Sequence, residues 1–454
     1  MAIRKIGFEC YGEEQPRPIF ADFNYRDRSW SADSILSLFK KVFLPKGYPH
    51  SVSSDYMEYQ IWDTVQALAS SVTGALAAQA VLIGVGVGDA QATILGASLS
   101  WMLKNGSGMI GKILFVGIQG SQLDCDCKRW RLLADIINDG ALFLELCSPF
   151  TPMLFVPLVC AADIMKSIVS VAGGATRAAV IQHHAVDNNM ADVAAKDGSQ
   201  ESLSNLLALL FNLCAVYIVT GNWALIWFGF ILLTGVHLYA NYRAVRCLRL
   251  TTFNRNRFTI ATQCWLTTRL GSSSIWSTSP DSKNHRFPSV EWVNWQEPVL
   301  RSVATPHINL GCSVHALPEE GKSQLSTLIC LFVSEQYILY CADWKQITLG
   351  KLDHSPHVYI VLMRNCEPQA QLLAMLHAEL LTALVRLDNE VNNSPIAEEI
   401  HQAKTLSQFT EMTLRCARML FNEITLSVQQ SADPRWNLTA QHLSADEWRA
   451  AWCA

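Results

Sequence analysis

Hydrophobic residues in the first half of the chain occur in long runs, and the longest run contains no acidic side chain, no basic side chain and no histidine. Residues 202–236 include no Asp, Glu, Lys, Arg or His over 35 positions. One helix of that length would measure roughly 52 Å, whereas the hydrocarbon core of a bilayer is about 30 Å thick. The pair Gly221-Asn222 is a natural break. The pattern therefore predicts two membrane spans, residues 203–220 and 223–240, joined by a tight turn.

Weaker apolar runs precede these two spans. A capping box at residues 55–58 predicts the start of a long helix rich in Ala, Gly and Ser, which suits close helix packing in lipid. Because residues 105–108 read Asn-Gly-Ser-Gly, we expect two short segments there rather than one helix. Five to seven spans are predicted in all, the further candidates being residues 92–103, 109–118, 130–147 and 150–171.

Arginines follow the last predicted span. They indicate by the positive-inside rule that this end faces the cytosol, or the equivalent compartment of an organelle. The residues are Arg243, Arg246, Arg249, Arg255 and Arg257. The alternative for the two uncharged runs is a buried helical hairpin in a soluble protein.

The second half of the chain has a different pattern, beginning near Thr251. Residues 272–289 are typical of an exposed loop, and residues 327–343 predict a hairpin that turns at 334–336. The remaining predictions are a strand at residues 357–363, an amphipathic helix at 368–387, and a capping box at 444–447 before a last short helix. This pattern is typical of a small soluble α+β domain, and its expected role is partner binding or regulation.

The predicted fold is therefore mainly α: a polytopic membrane helical bundle followed by a small soluble α+β domain. The predicted boundaries are an N-terminal extension at residues 1–54, the membrane helical domain at 55–250 and the C-terminal domain at 251–454.

Composition supports this fold and excludes some functions. Half of the 454 residues are hydrophobic and 16% are charged, against about 25% charged in soluble domains. The net charge of −4 argues against a nucleic-acid partner. Fourteen cysteines, mostly single within apolar runs, indicate reduced thiols. The first twenty residues lack a signal-peptide run, so we expect the internal spans to act as the targeting signal.

Polar residues within the apolar runs are the first candidates for function. Arg131, Asp135 and Asp139 follow each other at four-residue spacing and share a helix face, with Asn138 and Glu145 close to it. Charged groups at membrane depth usually face a partner or a wet cavity. The stripe is either a polar pathway or substrate site, or an Arg131–Asp135 pair near the membrane surface.

A second candidate lies where Gly173-Gly174 precedes Thr176 and Arg177. Glycine is a poor residue for the interior of a helix, so we expect the helix to break or kink there. Freed backbone N–H groups beside Arg177 would form an anion site. The alternative is close packing of two helices across the glycine pair.

Two further expectations concern the surrounding residues. Asp163 and Lys166, three apart, could pair on one helix face. The polar residues 171–203 are expected to form a re-entrant or membrane-surface connection, with Ser199 capping the next helix.

The sequence shows no catalytic motif. There is no P-loop, nucleophile elbow or zinc-protease helix. The pair His183-His184 has no ligand at the helical spacing, because position 187 is Asp. We therefore predict no enzyme, no cofactor and no metal.

Several long motifs occur together in one order. They are residues 43–68 (FLPKGYPHSVSSDYMEYQIWDTVQAL), 130–146 (WRLLADIINDGALFLEL), 171–179 (VAGGATRAA) and 189–201 (NMADVAAKDGSQE). In these motifs the chain resembles the root UVB-sensitive family, also described as a vitamin B6 photoprotection and homeostasis domain. The resemblance covers roughly residues 43–220 and fades after about Arg249.

The resemblance implies a membrane-associated protein. Plant members of the family are linked to early seedling development, UV-B responses, auxin transport and vitamin B6 status, and none has an assigned catalytic residue. The matching motif positions are Gly173, Gly174, Thr176, Arg177, Asn189, Asp192, Lys196 and Gln200. Ala194 occupies a place where the family pattern has Ser, so no hydroxyl role is expected there.

Three hypotheses of function follow. The first is a multi-pass membrane protein, in contact with lipid, that moves or sequesters a small anionic metabolite; a ligand like pyridoxal phosphate is implied by the resemblance. Lys166, Arg177 and Lys196 would supply positive charge, and Asp135 and Asp139 a proton or counter-ion. The candidate substrate-binding residues are Asp135, Asp139, Lys166, Gly173, Gly174, Thr176, Arg177, Asp192 and Lys196.

The second hypothesis is a non-transporting scaffold that recruits a family paralogue or a soluble protein through its C-terminal domain. The third is an enzyme acting on B6 vitamers, in which Lys196 would form a Schiff base.

Overall fold

The computed structural model describes most of the chain and divides it into two compact units. The described residues are 5–9, 17–20, 32–86, 94–219, 221–270, 286–305, 307–389, 395–431 and 435–452. The helical unit comprises Met1–Ile118 and Trp130–Cys247, and the C-terminal unit comprises Gln119–Arg129 and Leu248–Ala454.

The helical unit begins with an antiparallel pair of short strands and continues as seven helices. The strands are β1 (Lys5–Glu9) and β2 (Arg17–Phe20). The helices are α1 (Ala32–Phe43), α2 (Tyr56–Val85), α3 (Ile94–Gln119), α4 (Cys127–Cys147), α5 (Phe155–His184), α6 (Met190–Val219) and α7 (Trp223–Cys247). Within this unit α2 packs against both α6 and α7.

Four of the described helices are long and apolar enough to cross a membrane: Tyr56–Val85, Pro152–His184, Met190–Val219 and Trp223–Cys247. The last two confirm the predicted helix pair. Between them Gly221 adopts a φ of +81°, a backbone conformation that glycine reaches without steric cost. The described residues thus provide four candidate spans, whereas the sequence patterns predicted five to seven.

The predicted break within α3 is wrong, because one helix runs through residues 105–108. The glycines of α3 instead allow close packing against α5. A Cβ atom added at Gly108 would lie 2.1 Å from Oδ2 of Asp163, and one at Gly111 would lie 2.9 Å from Cγ2 of Ile164. Helix contact at these positions therefore requires residues without a side chain.

The predicted interruption of α5 at Gly173-Gly174 is also wrong, because the helix is continuous to His184. A Cβ atom added at either glycine would meet no atom within 4 Å. The glycine pair therefore makes no close helix contact among the described residues. The predicted kink and the alternative of close helix packing are both wrong. A cost of about 1 kcal/mol per glycine is small for a helix of seven or eight turns that tertiary contacts hold.

The polar residues 171–203 do not form a re-entrant connection. They comprise the last turns of α5, a short loop and the first half of α6, which begins at Met190. Ser199 lies inside α6 and not at its N-cap, and its hydroxyl donates to the carbonyl of Ala195 at 3.1 Å. Sequence polarity suggested a loop here, but polar residues are compatible with a helix wherever packing supplies their partners.

The C-terminal unit combines helices with two small sheets. In the first sheet, strand β3 (Thr252–Asn254) pairs in parallel with β7 (Asn437–His442). The second sheet has the strand order β4 (Ile308–Leu310), β6 (Val358–Leu362), β5 (Tyr337–Cys341). The central strand β6 is parallel to β4 and antiparallel to β5. The helices are α8 (Arg255–Leu270), α9 (Val290–Gln296), α10 (Glu319–Ser323), α11 (Leu325–Leu331), α12 (Trp344–Thr348), α13 (Pro368–Asn389), α14 (Pro395–His401) and α15 (Leu406–Gln429). One large apolar core with α13 inside it joins these elements.

The outcome of the C-terminal predictions is mixed. Strand β6 confirms one of them, and α13 confirms the predicted helix but not its amphipathic character, because residues 371–382 are buried on every side. The predicted hairpin at residues 327–343 is wrong, since its first arm is helix α11 and β5 pairs with β6 instead. A short apolar run cannot be assigned to strand or buried helix by periodicity alone. The last short helix is also absent from the described residues after β7, and most of the predicted loop at 272–289 lies outside the described residues.

Candidate functional site

A network of polar side chains lies inside the helical unit, where α2, α4 and α7 meet. His237 of α7 is completely buried, and its Nδ1 atom lies 2.8 and 2.9 Å from the two carboxylate oxygens of Asp139. Gln66 of α2 donates to Asp135 at 3.1 Å, and its amide nitrogen is also 3.1 Å from Nε2 of His237. Asn241 donates to Asp135 as well. Asp135 and Asp139, both predicted as site residues, thus share one site.

The hydrogen bonds indicate how His237 holds its proton. The Gln66 amide nitrogen is a donor, so Nε2 of His237 accepts, and Nδ1 carries the proton that it donates to Asp139. Nε2 also lies 3.7 Å from the Asp135 carboxylate. An imidazole between two carboxylates can gain a second proton with little movement, because each ring nitrogen already faces an acceptor or an amide that can turn.

Arg131 extends this network toward the start of α2. Its Nη2 atom lies 2.5 Å from Oδ1 of Asp63, and its guanidinium is 5.5 Å from the centre of the Tyr59 ring. The predicted Arg131–Asp135 pair is therefore wrong: the arginine binds Asp63 of α2 rather than the next acid on its own helix. Asp63 was not among the predicted site residues, since it lies on α2, far from Arg131 in the chain.

A second group of ionisable side chains, one acid and two histidines, lies where the start of α2 meets the end of α5. Nε2 of His183 is 2.9 Å from the carboxylate of Asp55, and Nδ1 of His184 is 2.6 Å from Oγ of Ser53. The His184 ring is 5.2 Å from the ring of Tyr59. Burial by itself would raise the pKa of Asp55, but the hydrogen bond from His183 and the two imidazoles hold it well below its usual range.

A separate polar cluster joins α3, α4 and α5. Lys166 lies 2.5 Å from Glu145, while Lys104 lies 3.7 Å from Glu145 and 3.6 Å from Asp163. The predicted Asp163–Lys166 pair is therefore wrong, because each residue binds a partner on another helix. This cluster is internally balanced, with two acids and two bases.

Arg177 connects α5 with α6 through two carboxylates. Its Nε atom donates to Asp197 at 2.6 Å and its Nη1 atom to Glu201 at 2.5 Å. Thr176 donates its hydroxyl to the carbonyl of Ala172 at 2.7 Å within the helix. The anion site expected from a broken helix is wrong, because α5 continues and its backbone N–H groups are not freed.

Four side chains, that of Asn189 just before α6 and three on one face of α6, bind the backbone of segment 41–51, which runs from the last turn of α1 into the connection to α2. Their spacing of three, four and four residues puts them on the same side of the helix. The pairs are Asn189 with the carbonyl of Ser51 (3.0 Å), Asp192 with the N–H of Lys46 (2.7 Å), Lys196 with the carbonyl of Lys41 (2.5 Å), and Gln200 with the carbonyl of Phe43 (2.6 Å). These contacts account for four of the motif positions as supports of the local fold.

The nine predicted site residues therefore occupy several places instead of one. Asp135 and Asp139 come together in the network, and Asp192 and Lys196 come together against segment 41–51. Lys166, Arg177 and Lys196 lie in separate contacts, and each has a carboxylate within 4.0 Å. Gln66, His237 and Asn241 were not among the predicted site residues. The signal for His237 was available, since it is the residue that ends the uncharged run at 236.

Comparison with known proteins identifies the family. Residues 29–269 match the family description "Vitamin B6 photo-protection and homoeostasis domain", and residues 286–452 match "Root UVB sensitive protein, C-terminal". The chain belongs to the root UVB-sensitive family. The resemblance in the first half is thereby confirmed. The expectation that it fades after about Arg249 is wrong, because the second match continues to residue 452.

Relatives from two organisms are similar to the chain. It is 47% identical to "RUS family member 1" of Dictyostelium discoideum over 220 residues, which are 48% of this chain and 42% of that protein. It is 40% identical to "Protein root UVB sensitive 3" of Arabidopsis thaliana over 257 residues, covering 54% and 58% of the two chains. The chain thus spans about half the length of the curated relatives it matches. No solved structure is significantly similar to it.

Proposed function

We propose that this root UVB-sensitive family protein is a multi-pass membrane carrier for a small metabolite in vitamin B6 homeostasis, with His237, Asp135 and Asp139 as its coupling site. The observation that carries the proposal is the carboxylate and histidine network where the charged helix α4 packs against α2 and α7, two helices apolar enough to span a membrane. The family description supplies the vitamin B6 context.

The surface of α6 and α7 supports insertion into a bilayer. Large apolar side chains there are half or more exposed, among them Phe211, Phe228 and Ile231 at 57%, 66% and 68%. Soluble proteins rarely expose continuous apolar surface of this kind, and lipid would cover it. The arginines after α7 would place the C-terminal unit in the cytosol or the equivalent organelle compartment.

Charge at membrane depth supports a role for the network. An ionised side chain at the centre of a bilayer costs about 2.5–3.5 kcal/mol on insertion scales, so such groups persist where they have partners and commonly where they act. Asp135 and Asp139 share one imidazole, and Arg131 is balanced by Asp63. An imidazole in contact with carboxylates is the kind of group that proton-coupled carriers use to take up and release a proton.

An anionic substrate would have to compete for the cations. Lys166 and Arg177 each lie 2.5 Å from a carboxylate, but their side chains are 32% and 37% exposed. An arriving phosphate could therefore take over an existing ion pair at Arg177. Pyridoxal phosphate remains the ligand that the family context favours.

Transport by the purified chain in proteoliposomes tests the proposal. We expect uptake of labelled pyridoxal phosphate or another B6 vitamer above that of empty liposomes, driven faster by an imposed pH gradient. Asp139→Asn and His237→Gln should remove the response to the gradient. Asp187→Asn is the matched control, because Asp187 is an exposed acid in the loop between α5 and α6, and it should leave uptake unchanged.

Two results would contradict the carrier: no uptake by the wild-type chain, or a pH response that survives both substitutions. A scaffold is then the next candidate, and one feature of the C-terminal unit favours it. Trp295 and Trp448 are 65% and 64% exposed, and exposed tryptophans are frequent anchors of protein interfaces. Recovery of a family paralogue or a soluble partner by the full chain, abolished by Trp448→Ala, would support that function.

A further inference from the structure

Three metal-ligating side chains converge where segment 41–51 leads into α2 beside the last turn of α5. Asp55, His183 and His184 each bring one ligand atom into a group whose members all lie within 4.8 Å of one another. Their side chains are 1%, 9% and 1% exposed. Two adjacent histidines of one helix rarely point at one carboxylate without a reason, since their side chains diverge by about 100° around the helix axis.

The distances suit a small tetrahedral ion. Nε2 of His183 lies 2.9 Å from Oδ2 of Asp55, and Nδ1 of His184 lies 3.8 Å from Oδ1 of the same residue. Zinc bonds of about 2.0–2.1 Å at tetrahedral angles separate neighbouring ligand atoms by roughly 3.3 Å. The observed distances lie on either side of this value, so small side-chain rotations would complete the coordination.

The hydrogen bonding of His184 is an independent indication. Its Nε2 atom is buried and has no hydrogen-bond partner among the described residues, and the rings of Tyr56 and Tyr59 lie 5.3 and 5.2 Å from the imidazole. Its other ring nitrogen, Nδ1, lies on the side of Asp55, 3.8 Å from Oδ1.

The backbone holds these ligands in place before any ion arrives. The N–H of Ser53 donates to the carbonyl of His184 at 3.2 Å, and Val52 forms a β-bridge with Ala185. Oγ of Ser53 lies 2.6 Å from Nδ1 of His184. An ion that binds Nδ1 would displace this contact, and the Ser53 hydroxyl would turn away. A preorganised group of this kind loses little entropy on binding.

We propose that Asp55, His183 and His184 bind one divalent transition-metal ion of the zinc type. Two imidazoles and one carboxylate suit zinc and its neighbours, whereas magnesium and calcium prefer oxygen ligands alone. The ion would join the end of α5 to the start of α2. This site does not depend on the proposed carrier function, because a metal clamp is equally compatible with a scaffold.

Metal titration of the full chain tests the site. The detergent-purified protein is stripped with a chelator and titrated with Zn²⁺ against a competing indicator dye. We expect one tight site per chain. His183→Gln should weaken it by roughly 10- to 100-fold or more, while the glutamine amide can still donate to Asp55 and so preserve the fold.

The matched control comes from the C-terminal unit, where Asp343, His354 and His357 form a second group of possible ligands with one exposed member. His357→Ala should leave the tight site intact. If His357→Ala removes the tight binding and His183→Gln does not, the proposal is wrong.

A spectroscopic measurement covers the case in which His183→Gln fails to fold. X-ray absorption of the zinc-loaded wild-type chain should show two imidazole nitrogens with oxygen completing a four-coordinate shell. Sulfur in the shell, a different number of imidazoles, or no tight zinc site in the wild type would each overturn the proposal.

Discussion

Helices α7 and α13 are both rich in apolar residues, α7 more so than α13, yet the two units use them in opposite ways. In the C-terminal unit α13 is buried nearly all round, and Leu372, Leu376 and Leu380 are completely inaccessible. In the helical unit α7 leaves Phe228 and Ile231 about two-thirds exposed. The C-terminal unit therefore covers its apolar helix internally, whereas the helical unit leaves large apolar side chains of α7 exposed. The proposal that the helical unit, and not the C-terminal unit, lies in a bilayer rests on this contrast.

The two units also differ in how they bury charge. In the C-terminal unit Glu297 lies 3.1 Å from Lys128 and 3.0 Å from Arg257, and it accepts a hydrogen bond from Asn254. Burial alone would raise the pKa of Glu297, but the two cations lower it to about 2. This compact cluster keeps its charge at any physiological pH. The network of the helical unit is instead spread over three helices and places a histidine between two carboxylates.

The largest expected effect of a single substitution is at Glu297. Glu297→Ala leaves Lys128 and Arg257 buried without their carboxylate and should destabilise the C-terminal unit by about 3–5 kcal/mol. Hydrogen exchange of α8 in the full chain, followed by mass spectrometry, measures this loss. Glu291→Ala is the control on helix α9, since Glu291 is 66% exposed in its pair with Arg249, and surface pairs contribute little. If the two variants lower the stability equally, the buried cluster contributes no more to the stability of the C-terminal unit than an exposed ion pair does.

A smaller effect is expected where the helical unit relies on missing side chains. A Cβ atom added at Gly84 of α2 would lie 2.3 Å from the ring of Phe155 on α5. Gly84→Ala should therefore cost roughly 1–3 kcal/mol through overpacking, measured as a lower thermal midpoint in detergent. Gly74→Ala on the same helix meets nothing within 4 Å and should be neutral or slightly stabilising. If Gly84→Ala is as stable as Gly74→Ala, α2 and α5 do not pack as described.

The smallest expected effect concerns the supports of segment 41–51. Gln200→Ala removes a hydrogen bond to the carbonyl of Phe43 and should lower the local stability of the segment by about 1 kcal/mol. Hydrogen exchange of residues 44–52 would rise, while that of α7 would not. Ser199→Ala is the neighbouring control, because its hydroxyl bonds only within α6. If hydrogen exchange of residues 44–52 is unchanged in Gln200→Ala, the family-motif residues on α6 do not support this segment. A role for them in binding a ligand would then be favoured.

The sequence predicted part of the network but not its partners. The four-residue spacing correctly placed Asp135 and Asp139 on one side of α4. It could not show that Asp63, Gln66 and His237 complete the site, because these residues are distant in the chain. The charged pairs predicted within single helices, Arg131 with Asp135 and Asp163 with Lys166, both proved to be pairs between helices. Spacing defines which residues could meet on one helix, and packing against other helices decides which do.

By itself the sequence determined the apolar second half of α6, the positions of α7, α13 and β6, the break at Gly221 and the family, because periodicity, apolar length and motif order are local properties of the chain. The tertiary structure alone decided that α5 passes through its glycine pair unbroken, that Asp192 and Lys196 hold segment 41–51, and that His183 and His184 face Asp55. The physical reason is that a polar side chain in an apolar setting takes the nearest available partner. Which partner is nearest depends on how distant helices pack.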